Sequence, residues 1–121
     1  MKIDANPLLF TQKQTIVIDG DSHSDRKLSP ALDRSAYLRL NNWDVSWADR
    51  FEEWIFCNRP DLALTIRCAA VGGSTVGMML ARYEERVKPL KPDWVIVSAG
   101  NNDIEHDDAE AFAKNLNEYC K

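Results

Sequence analysis

A chain of 121 residues with 45% hydrophobic and 28% charged residues, five glycines and five prolines has the composition of one globular domain spanning 1–121, which excludes disordered and fibrous classes. The formal net charge is -4 and no stretch gathers Lys or Arg into the basic stripe that phosphate backbones need, so nucleic acid is not expected as a partner. No run of about eighteen apolar residues could span a bilayer, and Met1–Thr15 lacks the apolar core of a signal peptide. The default expectation is therefore a cytoplasmic protein, or a secreted one whose leader has been removed.

In chain order, Thr15-Ile16-Val17-Ile18-Asp19 is a short β-branched run closed by Gly20, apolar on both faces as a central parallel strand is. From Ser46, the residues Trp47, Phe51, Trp54 and Ile55 recur at helical spacing, and Ser46 with Asp49 has the form of a capping box. Pro60 closes that helix. Leu62 to Cys68 then alternates, with Leu62, Leu64, Ile66 and Cys68 on one side and Thr65 and Arg67 on the other, which predicts a second, edge-like strand. After Gly72 and Gly73, the positions Val76, Met79, Leu80, Tyr83 and Val87 predict an amphipathic helix ended by Pro89 and Pro92. Trp94-Val95-Ile96-Val97 is a third strand, apolar at consecutive positions as though buried on both faces. Phe112, Ala113, Leu116, Tyr119 and Cys120 mark a last helix, with Asp107 and Asp108 near its positive end. This alternation of strands and helices predicts an α/β fold built on a parallel sheet.

The odd number of cysteines, Cys57, Cys68 and Cys120, without CxxC spacing or an adjacent His, indicates neither a disulfide framework nor a zinc site, and predicts buried small hydrophobes. No Walker-type or dinucleotide glycine motif is present.

In a parallel sheet each strand leads into a loop at the same carboxyl edge, where such folds bind ligands. Three polar loops converge there: Gly20-Asp21-Ser22-His23-Ser24, Val71-Gly72-Gly73-Ser74-Thr75 and Ala99-Gly100-Asn101-Asn102-Asp103. Ser22, on a glycine-assisted turn past a strand, is placed as a nucleophile, although a Gly-Asp-Ser triplet is also ordinary turn chemistry. Gly73 offers a backbone N–H near a helix N-terminus, and Asn102 offers a side-chain amide.

The order of Gly20-Asp21-Ser22, Gly73-Ser74-Thr75 and Gly100-Asn101-Asn102-Asp103, with Lys91-Pro92-Asp93-Trp94-Val95-Ile96-Val97 leading into the last, resembles the SGNH (GDSL-type) hydrolases from about Ile16 onward. The resemblance implies a three-layer α/β/α, flavodoxin-like parallel sheet with strand order two-one-three. It also implies a serine hydrolase of carboxylic esters with no metal or cofactor. Ser22 would be nucleophile and first oxyanion donor, Gly73 the second donor and Asn102 the third. Two positions depart from the pattern. Cys68 and Ala70 stand where the second block usually has Asn and Gly, and the family's Asp-x-x-His block near the C-terminus, well after the third block, has no counterpart before Lys121. His23, adjacent to Ser22, and His106, without a defined orienting carboxylate, are poorly suited to act as base. The expectation is that the fold is incomplete in this chain. A downstream segment or a second copy would pair with the open edge of the third strand, and the chain alone would have little activity.

Two other readings stand beside this one. Ile16-Val17-Ile18-Asp19-Gly20-Asp21 also resembles the first motif of the haloacid dehalogenase phosphohydrolases, with Asp19 as nucleophile, Asp21 as acid/base and magnesium required. Against it, Ser22-His23 replaces the usual Gly-Thr. A non-catalytic SGNH-like binding module would keep the oxyanion pocket without a base.

Overall fold

The computed structural model describes residues 9–25, 46–106 and 108–121. Its strands are β1 (Thr15–Gly20), β2 (Thr65–Cys68) and β3 (Trp94–Ser98); its helices are α1 (Trp47–Asn58), α2 (Val76–Arg86), α3 (Asp103–His106) and α4 (Ala109–Tyr119). Short 3₁₀ turns occupy Pro60–Leu62 and Lys88–Leu90. The strands form one parallel sheet in the order β2-β1-β3, with Thr15 opposite Thr65 and Ile16 opposite Trp94.

The central strand organises the core because both of its faces are covered. Ile16 and Ile18 point to one side and pack with Ala48 and Ile55 of α1. Val17 faces the opposite side, among Ala69 and Val87, and the helices α2 and α4 continue that layer through Val76, Met79 and Tyr119. The result is the expected three-layer arrangement, with α1 on one face and α2 and α4 on the other. Each of Ile16, Val17 and Ile18 is wholly buried, worth roughly 1.5–3 kcal/mol apiece relative to exposure.

Local chemistry fixes the helix starts. At α1 the Ser46 hydroxyl accepts from the Asp49 N–H at 3.4 Å while the Asp49 carboxylate accepts from the Ser46 N–H at 3.1 Å, the reciprocal capping box expected. Asp108 caps α4 by accepting from the Ala111 N–H at 2.7 Å.

Four expectations are corrected. The second strand begins at Thr65, not Leu62, because Pro60 sets a 3₁₀ turn that ends with Ala63 in the left-handed region, φ 47°. Val95, Ile96 and Val97 are half-buried instead of enclosed, since β3 has one strand neighbour among the described residues. Cys57 and Cys120 are exposed and Cys68 is half-buried. Cys57 lies two residues beyond the buried Ile55, about 200° round the helix and so on the solvent side. Trp54, counted with the apolar face of α1, is 43% exposed.

Candidate active site

Parallel pairing brings the ends of all three strands to one edge. The first turn is clamped at both ends. The Asp21 carbonyl accepts from the Ser24 and Asp25 N–H groups at 3.1 and 3.0 Å, and the Asp21 carboxylate accepts from the His23 N–H at 3.0 Å. Ser24 is fully buried; its hydroxyl accepts from the Trp47 indole at 2.8 Å, and its carbonyl accepts from the Cys68 thiol at 3.2 Å. Between these anchors Ser22 is exposed.

Gly20 is required by the close approach of β3, since a Cβ there would run into the Ser98 carbonyl oxygen and lie 3.0 Å from the Ser24 hydroxyl. The obstacle is sheet backbone, which cannot swing aside. Gly20→Ala is therefore expected to destabilise the fold by about 1–3 kcal/mol, read as a lower urea midpoint with an unchanged slope. An unchanged midpoint would mean that β3 does not press on the turn carrying Ser22.

The second loop lies against the first. The Val71 N–H donates to the Gly20 carbonyl at 3.1 Å, and the Gly72 N–H donates to the Asp25 carboxylate at 2.7 Å. A Cβ placed on Gly72 would be 3.7 Å from the Ser22 Cβ, so loop backbone sits directly beside the serine. Gly73 adopts φ 78°, a left-handed conformation that favours glycine, and the loop then enters α2 through Thr75, whose hydroxyl accepts from the Met78 N–H at 3.2 Å. Neither the Ser22 N–H nor the Gly73 N–H has a hydrogen-bond partner among the described residues.

The third loop is tied to the second. The Asn102 side-chain amide donates to the Ser74 carbonyl at 3.0 Å, which orients the group and leaves its other N–H available. Asp103, nearly fully buried, accepts from the Val76 N–H at 2.9 Å at the start of α2. The structure thus brings the three predicted residues onto three mutually braced loops: Ser22 against loop 2, Gly73 within it, and Asn102 bonded to it.

Reading the sequence as core and loops missed a buried polar network beneath this edge. Asp19 is fully buried, and its carboxylate accepts from the Gly20 N–H at 2.8 Å, from Arg82 at 2.9 Å and from the Tyr119 hydroxyl at 2.7 Å. Burial, together with the bond to Asp19, pushes the Tyr119 phenol well above its ordinary range, so it remains a proton donor. Removing one member of such a buried ion pair costs on the order of 3–5 kcal/mol, because the other charge is left uncompensated. The available signal was an Asp ending an apolar strand.

His23 is largely exposed, with Nδ1 3.1 Å from the nearly buried Asp21 carboxylate, and His106 is exposed at the end of α3. A pocket of about 460 Å³ opens beside the third loop, lined by Gly100, Asp103, Ile104, Asp108, Ala109 and Phe112. None of Ser22, Gly73 or Asn102 lines it, so it neighbours the serine edge without enclosing it.

This parallel three-layer fold, with its polar loops gathered at the carboxyl edge, is shared by solved structures. Over 91% of this chain it matches an α/β-hydrolase enzyme from a Lake Arreo metagenome, with TM-score 0.74, 23% identity and 55% of that chain covered. A GDSL-like lipase from Parabacteroides merdae matches over 88%, with TM-score 0.70, 18% identity and 51% of that chain covered. An acetylxylan esterase from Geobacillus stearothermophilus matches over 93%, with TM-score 0.67, 23% identity and 52% of that chain covered. The fold is therefore that of GDSL-like lipases and acetylxylan esterases, and the chain spans about half the length of these structures. In sequence, 45 residues are 40% identical to an acetylxylan esterase of Geobacillus stearothermophilus, covering 37% of this chain and 20% of that protein. No protein-family profile matches.

Proposed function

We propose that the protein is an SGNH/GDSL-type serine hydrolase of carboxylic esters. The observation that carries this reading is the exposed Ser22 on its clamped turn, with loop 2 held beside it and the Asn102 amide bonded to that loop. Ser22 Oγ attacks the ester carbonyl, and its proton passes to a histidine base. The developing oxyanion is held by the N–H groups of Ser22 and Gly73 and by the free N–H of Asn102, donors already fixed before charge develops. Collapse of the tetrahedral intermediate expels the alcohol, which takes the proton from the histidine, and leaves an acyl-Ser22. Water then repeats the sequence and releases the acid. The resemblance assigns the base to an Asp-x-x-His block that follows the third block; the Asp-x-x-His string present here, Asp103-Ile104-Glu105-His106, lies within and just after the third block itself, with Asp103 buried against the start of α2 and His106 exposed.

The phosphohydrolase reading is disfavoured by the state of Asp19. Both of its oxygens are engaged, by Arg82 and the Gly20 N–H on one and by Tyr119 on the other, and a buried carboxylate so occupied is not presented to a phosphate. A fluorophosphonate probe followed by peptide mass spectrometry tests the assignment on an ester-hydrolysing form of the protein. The adduct is expected on Ser22, and an adduct on any other residue overturns it.

A further inference from the structure

Arg82, on α2, makes contacts that charge compensation of Asp19 does not require. One guanidinium nitrogen, Nη2, donates to the Asp19 carboxylate at 2.9 Å and to the Gly20 carbonyl at 3.1 Å. The other, Nη1, donates to the Ser74 hydroxyl at 2.6 Å, and that hydroxyl in turn donates to the Val71 carbonyl at 2.6 Å. The Ser74 carbonyl receives the Asn102 amide. A single rigid fork therefore joins the backbone two residues before Ser22 to the residue directly after Gly73, and through Ser74 to Asn102.

We propose that Arg82 is a positioning residue for the esterase site, holding the nucleophile turn and the oxyanion loop at a fixed spacing. The inference rests on the esterase reading above and deepens it. Its physical basis is the shape of the guanidinium, whose planar, forked donors fix two partners relative to one another, whereas an ammonium is a point charge on a flexible stem. Lysine at position 82 can still neutralise Asp19 but cannot bridge Asp19, the Gly20 carbonyl and Ser74 in one plane. Charge compensation and loop spacing are thus separable by substitution.

The test compares Arg82→Lys and Ser74→Ala with the unsubstituted protein in an ester-hydrolysing form. The second variant leaves the Asp19–Arg82 pair intact while removing its link to the second loop, together with the Ser74 hydroxyl's bond to the Val71 carbonyl, so it remains informative if Arg82→Lys folds poorly. Each variant that folds is expected to lose about 10- to 100-fold in kcat with KM within threefold, because misplacement of the donors acts on the transition state. The double variant is expected to be no worse than Arg82→Lys, since both changes break one linkage. In parallel, the amide resonances of Gly73 and of the Asn102 side chain are expected to shift in both variants. Folded variants with unchanged kcat and unmoved Gly73 and Asn102 resonances overturn the proposal and leave Arg82 as a stabilising ion-pair partner only. Failure of the esterase reading is distinguished by Ser22→Ala retaining turnover, a result that does not touch the resonance shifts.

Discussion

Ser22→Ala is expected to lower ester hydrolysis by on the order of 10⁶-fold in a form of the protein that turns over p-nitrophenyl acetate, leaving no more than the residual catalysis of binding and oxyanion stabilisation. The size follows from the proposed covalent mechanism, in which without Oγ no acyl-enzyme forms and the histidine base has no hydroxyl to activate. Among the described residues, the neighbouring hydroxyls are already committed: Ser24 is fully buried with its hydroxyl accepting from Trp47, and the Ser74 hydroxyl is held between Val71 and Arg82. The change should cost little stability, because Ser22 is exposed and makes no hydrogen bond among the described residues. Unaltered melting with lost turnover is the expected pair of results. Turnover within tenfold of the unsubstituted protein would place the nucleophile elsewhere.

Asn102→Ala should lower kcat by roughly 10²–10³, equivalent to about 3–4 kcal/mol, because in the proposed mechanism one oxyanion donor is lost. Some of that loss comes through the loop, since the same amide nitrogen donates to the Ser74 carbonyl and its removal loosens the brace between loops 2 and 3. Steady-state kinetics separate the roles. A fall in kcat and kcat/KM together marks a transition-state donor, whereas a rise in KM alone marks Asn102 as a substrate-binding residue.

Much of this architecture is visible in the sequence because its determinants are local. The β-branched run at Ile16–Ile18 specifies a strand, Ser46 with Asp49 specifies a helix start, and each polar loop follows a strand at a position that parallel topology must bring to one edge. The start of β2 was not visible, since the alternation from Leu62 fits a strand and Pro60 overrides it by nucleating a 3₁₀ turn. The Asp19 network was hidden for a different reason. Its partners lie 63 and 100 residues away along the chain, Arg82 flanks the buried stripe of α2 without belonging to it, and Tyr119 has the periodicity of an ordinary core residue. Spacing also does not disclose that Gly72, one residue before the predicted donor, is the glycine whose backbone abuts Ser22.

The bond from Tyr119 to Asp19 also bears on the order in which the protein is made. The carboxylate belongs to β1, yet one of its partners is supplied 100 residues later by the final turn of α4. On the ribosome, the earlier strands and helices can gather their apolar faces while Asp19 still lacks that donor, and an incompletely paired buried carboxylate disfavours closing the sheet around it. A nascent chain that has not yet released Tyr119 is thereby held back from tight packing at the loop-bearing edge, and the turn carrying Ser22 reaches its final setting only when α4 docks.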